Sequence, residues 1–214
     1  MTTNRITVAI PTHSMQDASF FFQRCLDSLW NQTYQNFDIV VTDNSEDDLI
    51  EKICEWYKTG ITYYRNPIKG MAPNTNEAIK RSHGNLIKIL YMDDYLYREN
   101  VLEEISKKFK GGWLISGADN NPSPEWTRDI TTGNNRLGSP SALTIENNEP
   151  LLFDETLTWL LDCDLYARLH GRYGKPTVMS GRSIGIGLGP HQMTHLISDE
   201  IKLSEHSYLE QKYA

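Results

Sequence analysis

Residues 37–45 read Phe37-Asp38-Ile39-Val40-Val41-Thr42-Asp43-Asn44-Ser45, a short apolar run that stops on a polar cluster. Such a run suits a strand buried on both faces, as in a parallel sheet. Working back from it, Phe22, Cys25, Leu26, Leu29 and Trp30 recur at i, i+3, i+4, i+7 and i+8, the stripe of an amphipathic helix. Before that helix, residues 6–10 form another apolar run, closed by Pro11. Working forward, Ile50, Ile53, Cys54 and Tyr57 mark a helix that stops at Gly60, and residues 61–64 read as a strand. Residues 73–82 follow as a helix, with Gly84 beyond its end as a C-terminal glycine. Residues 86–90 are a fourth strand, then Asp93-Asp94 in a loop, and Val101, Leu102, Ile105 and Phe109 give a fourth helix. Strand and helix alternate four times. This predicts an α/β domain with a mostly parallel central sheet and helices on both faces.

Beyond residue 110 the pattern loosens. Residues 113–116 and 141–145 read as strands, and 159–173 as a helix. The Asn-, Gly-, Pro- and Ser-rich stretch 117–140 reads as a long loop lining a site. Gly185, Gly187 and Gly189 punctuate a flexible turn before His191, Pro190 suggests a helix start, and 198–213 reads as a polar helix.

Composition narrows the function. The 214 residues are 39% hydrophobic and 23% charged, ordinary for a packed core. A net charge of -7 argues against nucleic acid, and against an anionic membrane surface, as partner. No apolar run approaches the ~20 residues of a membrane span, and residues 1–5 lack the layout of a signal peptide. Three cysteines, Cys25, Cys54 and Cys163, show no CxxC spacing and are expected to be reduced. A cytoplasmic protein with no transmembrane segment is the expectation.

In open parallel sheets, ligands bind outside the carboxyl ends of the strands. The loops to inspect are therefore 11–16, 43–48, 65–70 and 91–95. Adjacent carboxylates such as Asp93-Asp94 repel each other at the end of a buried strand, and a divalent cation would remove that conflict. The alternative is a turn or a helix cap. Asp43 could accept from a base imide or a ribose hydroxyl, or simply form an Asx turn. Asp162 and Asp164 begin a helix, where carboxylates also serve as caps; two apart, they face different sides. His191 and His195, four apart, could share a helix face as metal ligands. Neither GxGxxG nor GxxxxGK[ST] follows the first strand, so a Rossmann dehydrogenase or a P-loop NTPase is not expected.

Taken together the motifs are more specific. Val8-Ala9-Ile10-Pro11-Thr12-His13, Leu26-Asp27-Ser28-Leu29-Trp30-Asn31-Gln32-Thr33-Tyr34 and residues 37–45 resemble the opening of the family 2 glycosyltransferases, in order. Asn74, Asn76, Ala78 and Gly84 resemble the helix that follows, Leu90-Tyr91-Met92-Asp93-Asp94 the aspartate-rich metal motif, and residues 161–169 the acceptor-side motif. The resemblance implies a single GT-A (nucleotide-diphospho-sugar transferase) domain over residues 1–214. About 1–110 would bind the nucleotide sugar, and about 111–214 the acceptor.

The activity implied is metal-dependent, inverting transfer of a sugar from a nucleotide diphosphate donor, with a UDP-sugar such as UDP-glucose favoured, to a glycan or other hydroxyl acceptor. Pro11, Thr12, His13, Asp43, Arg65, Lys69 and Asp93 would contact the nucleotide sugar. Asp94 and His191 would hold Mn2+ or Mg2+, and Asp162 would be the base. Three departures from the family pattern stand out: Ser14 for a common asparagine, Tyr91 for the first aspartate, and Leu161 for the usual glutamate. The last leaves Asp162 and Asp164 both open as the base. A QxxRW motif, the mark of processive synthases, is absent, so single addition is expected. A sugar-1-phosphate nucleotidyltransferase would share the fold, but residues 11–16 lack the Gly-rich basic loop it needs. A non-catalytic nucleotide- or glycan-binding module is the other alternative.

Overall fold

Ile6, Val8, Ala9 and Ile10 are wholly buried, so strand β1 (Ile6–Thr12) is covered on both faces. In this computed structural model, which describes residues 4–57 and 60–214, the alternation of side chains along β1 sorts the core into two layers. Ile6, Val8 and Ile10 pack with helices α1 (Ala18–Trp30), α2 (Leu49–Tyr57) and α4 (Val101–Lys108). Ala9 packs on the other side with α3 (Met71–Lys80), α5 (Leu161–Tyr173) and Leu209 of α7 (Asp199–Lys212). Helices on both faces are therefore borne out. Residues 1–3, part of the stretch read for a leader, lie outside the described residues, as do 58–59 before Gly60.

Among the described residues the sheet has the order β3-β2-β1-β4-β7-β6-β8-β5. Strands β2 (Phe37–Asp43), β3 (Ile61–Arg65) and β4 (Leu86–Ile89) run parallel with β1, as predicted. The second half is mixed. Strand β7 (Leu143–Glu146) lies antiparallel to β4 and to β6 (Trp113–Ala118). Strand β8 (Thr177–Gly185) runs parallel to β6, and β5 (Tyr95–Leu96) caps the edge antiparallel to β8.

Sequence reading missed β5 and β8. The first is only two residues long. The second breaks register between Ser116 and Ala118 and exposes Ser180, Gly181 and Arg182 mid-strand, so no alternation signals it. A further correction concerns the 190s: the short helix α6 (Met193–Leu196) starts three residues after Pro190 and leaves His191 outside it.

Gly84 also has a different reason from the one expected. Helix α3 ends at Lys80 with Arg81 as its cap, and Gly84 is not left-handed. A Cβ there would lie 2.6 Å from Thr7 N and 2.8 Å from Arg5 O, so the turn into β4 fits against β1 only without a side chain. Gly84→Ala is expected to cost about 1–3 kcal/mol in urea unfolding, the range for overpacking. A midpoint within error of wild type would show that the turn has room to move.

Candidate active site

Parallel pairing brings Thr12 level with Asp43, and the polar loops after β1, β2 and β4 open on one cavity of about 1090 Å³. Its other walls come from the start of α5 and the segment after β8.

Helix α3 ties the first two strand ends together. Asn74 Nδ2 donates to Thr12 O and Thr42 O, at 2.9 and 3.0 Å, and Thr42 Oγ1 donates back to Asn74 O. Asp43 is fully buried behind this junction. Its Oδ1 accepts from Ser45 N, Ser45 Oγ and Thr12 Oγ1, and its Oδ2 from Tyr63 OH, with Arg65 3.3 Å away. Arg65 also donates to Ser45 O and Asp47 O. Thr12, Asp43 and Arg65, expected at the nucleotide, therefore stand behind the wall and hold it. Pro11, His13, Asn44, Ser45 and Lys69 are on it, with Lys69 Nζ donating to Asn44 O.

Asp93 and Asp94 follow β4 and both line the cavity. His191 Nε2 lies 3.2 Å from Asp93 Oδ2, and Phe21 packs on the imidazole with ring centroids 4.7 Å apart. His191 and Asp94, both expected at a cation, line the same cavity, and the direct contact of His191 is with Asp93. The partner helix residue His195 is exposed, away from the site. Asp94 is 3% exposed, and its Oδ1 accepts from Gly187 N at 2.8 Å. Burial raises both carboxyl groups above the usual range, Asp94 to about 7 with the Asp93 charge adding to the effect. The glycines before His191 serve close approach rather than flexibility: a Cβ on Gly187 would lie 2.2 Å from Asp93 O.

Helix α5 supplies Asp162. Its Oδ2 accepts from Asn135 Nδ2 at 2.8 Å and its Oδ1 from Cys163 N at 2.7 Å, while burial pushes it up to about 6. Asp164 faces the other way, fully buried, paired with Arg168 and Lys212 and accepting from Tyr213 OH. The two-residue spacing does separate them, with Asp162 on the cavity wall.

Several supporting residues had no sequence signal. Arg24 on α1 donates to Asp93 O at 2.6 Å and rests 4.5 Å from the Tyr95 ring centroid. Lys88, fully buried on β4, donates to Ser141 O and Leu143 O, and burial lowers it to about 7. Asn135 lies in the long loop that composition alone had marked as lining a site.

Among the described residues no cluster of three or more His, Cys, Asp or Glu side chains forms a metal cage. Asp93, Asp94 and His191 all line the cavity wall but do not converge as a preformed three-ligand site. Mg2+ and Mn2+ suit these side chains, since they keep waters and bind substrate phosphates.

Comparison with known proteins agrees with this layout. A family model described as Glycosyl transferase family 2 matches residues 7–149. Glycosyltransferase GlyA of Streptococcus pneumoniae serotype 4 is 28% identical over 108 residues, 49% of this chain and 15% of that protein. An uncharacterized glycosyltransferase of Rickettsia bellii is 32% identical over 108 residues, with the same shares. The chain thus spans only a small part of the length of these relatives. Among solved structures, residues 1–349 of S. aureus TarS in complex with UDP-GlcNAc superpose with a TM-score of 0.72 at 16% identity. That match covers 91% of this chain and 61% of the other. Mannosyltransferase PcManGT from Pyrobaculum calidifontis, in complex with GDP-Man and Mn2+, gives a TM-score of 0.63 at 15% identity, over 89% and 59%. At these identities the likeness is one of fold.

The raised Asp162 predicts a stability signature. Its folded-state value near 6 exceeds the unfolded 3.8, so the folded state holds the proton more tightly between those two values. Relative to Asp162→Asn, which does not titrate there, wild type should therefore gain stability as pH falls from 7 to 4. The gain should be about 3 kcal/mol at most. Urea unfolding of both proteins at each pH measures it, and a pH-independent difference would mean that the carboxylate is solvated.

Proposed function

The chain belongs to glycosyl transferase family 2, and from that premise we propose that it moves a sugar from a nucleotide diphosphate onto a hydroxyl acceptor. The observation that carries this reading is one cavity bringing Asp93 and Asp94, at the end of β4, together with Asp162, at the start of α5. Its volume exceeds the ~300–1,000 Å³ of a usual small-ligand site, which suits two substrates side by side.

The nucleotide lies over the ends of β1 and β2, with its base against Pro11, Asn44 and Ser45. Asp43, Thr12 and Arg65 keep that surface in shape from behind. A uridine donor, UDP-glucose or another UDP-sugar, is favoured. The TarS complexes with UDP and UDP-GlcNAc support uridine, and the GDP-Man complex makes guanosine the competitor to test. Lys69 and His13 face the diphosphate. Asp93, Asp94 and His191 would hold Mn2+ or Mg2+, which when bound acts as a Lewis acid toward charge developing on the leaving diphosphate.

Asp162 takes the proton of the acceptor hydroxyl as the oxygen attacks the anomeric carbon. Raised to about 6, it stays ionised at neutral pH yet is more basic than an ordinary aspartate. Its two hydrogen bonds, from Asn135 and Cys163, fix the carboxylate plane. Attack opposite the leaving nucleotide inverts the anomeric centre. With both of its sides engaged by Arg168, Lys212 and Tyr213, Asp164 takes no part in the chemistry. A glycan acceptor enters along the first turn of α5.

A thermal-shift panel of nucleotide sugars, with and without Mn2+, tests the donor: a ligand at 100 times its Kd adds about 2.7 kcal/mol. UDP-sugars should stabilise most, and stabilisation by GDP-sugars alone would replace uridine by guanosine. EDTA should abolish transfer and Mn2+ restore it; full activity in EDTA would remove the cation from the reading. Asp162→Asn should lower kcat by roughly 10²–10⁴-fold with donor KM little changed. NMR of the early product should show the anomeric configuration opposite to the donor's, and retention would rule out a single displacement.

A further inference from the structure

At its start helix α5 takes one side-chain bond from its own sequence, Asp162 Oδ1 accepting from Cys163 N in the first turn. Its N-cap is Leu160, which has no side chain able to accept from the first-turn amides, and no side-chain cap bond forms. The residues leading into the helix are held from α7. Glu205, 5% exposed, accepts from Thr158 N at 2.7 Å, Trp159 N at 2.9 Å and Leu160 N at 2.7 Å. Among the described residues Glu205 forms no ion pair, so its charge is balanced by these amides and by the positive end of the α5 dipole.

A buried carboxylate without a cation is costly, and α7 has other means of docking. Leu209 is wholly buried against the α5 layer, Lys212 pairs with Asp154 and Asp164, and Tyr208 OH donates to Asp154. What Glu205 alone does is fix the backbone of residues 158–160. Thr158 and Trp159 of this entry segment line the cavity, as do Leu161 and Asp162, which follow it at the start of the helix. Trp159 is steadied further by His206, at 5.4 Å between ring centroids, and by Lys202 Nζ, 5.8 Å from its ring, both also on α7.

We infer that Glu205 is a positioning residue for transfer: from α7 it pins the segment that enters α5 and so sets where Asp162 and the acceptor wall stand relative to the donor. The inference rests on the transferase reading above. It does not make Glu205 a catalytic residue, because the side chain touches backbone and not the cavity.

Two variants of α7 separate positioning from docking. Glu205→Gln keeps the shape but gives the amides a half-donor partner, and Lys212→Met loosens α7 at its far end. Hydrogen exchange should accelerate about 10-fold or more at the amides of residues 158–160 in Glu205→Gln and stay near wild type in Lys212→Met. In the same proteins, kcat per folded molecule should fall about 10-fold for Glu205→Gln with donor KM within about twofold, and hold within about twofold for Lys212→Met. If Glu205→Gln does not fold, Glu205→Asp, which keeps the charge but withdraws it by one methylene, should show the same pattern more weakly. Unchanged exchange at 158–160 would overturn the cap. Faster exchange with equal kcat in the two variants would reduce Glu205 to a stability residue. A wild-type protein that transfers from no donor would sink the transferase reading itself, while the exchange result would still report on the cap.

Discussion

The sheet changes character where β4 meets β7, and Lys88 sits at that seam. On one side four parallel strands carry the loops at Asp43 and Asp93-Asp94; on the other, mixed strands lead to the wall that bears Asp162. Lys88 is paired in register with Thr144, and its ammonium turns to the carbonyls of Ser141 and Leu143. Burying an ammonium is tolerable only because those acceptors replace water. The same short segment reaches forward, since Ser141 Oγ accepts from Tyr91 N, two residues before Asp93. On the opposite flank the chain leaving β8 delivers Gly187 N to Asp94. The aspartate pair is thus clasped from both halves of the sheet, and the cavity exists because the seam holds them in one frame.

How much of this could be read beforehand depended on how local each determinant is. The first half announces itself because β1, β4 and most of β2 are buried on two faces and helices α1, α2 and α4 each show one apolar stripe. Its loops could be ranked by the rule that parallel strands present ligand sites at their carboxyl ends, which drew attention to residues 91–95 and to Asp43. The rule does not say which side chain points outward. Asp43 turned inward because Ser45, Thr12, Tyr63 and Arg65 together offer its two oxygens more donors than the cavity does. Strand β8 hid behind a register break and a run of exposed residues. Lys88 and Glu205 hid for a different reason: each is a charged residue whose partners are distant backbone atoms, and no periodicity encodes those.

Cost is concentrated at the site. Asp94 and Asp162 are held where burial opposes their charge, and Lys88 where burial opposes its own. A fold selected for stability alone would have put neutral groups at these positions. The hydrogen bonds around them, from Gly187, Asn135 and Cys163 and to Ser141, offset part of the cost and also restrict each group to one orientation. Poor local stability and good geometry are here two sides of one arrangement.

The cap on α5 also sets an order of events in time. Glu205 lies 45 residues after Leu160, so it emerges from the ribosome only after the helix it completes. At roughly 5–20 residues per second of synthesis, the amides of residues 158–160 wait a few seconds for their acceptor. During that interval the parallel strands β1 to β4, their covering helices and the aspartate turn are already out, while the wall bearing Asp162 has no fixed start. A nascent chain can therefore assemble the β1–β4 half well before the cavity wall at α5 is finished. Helix α7, made after α5, is the element that fixes the entry to α5 and with it that wall of the cavity.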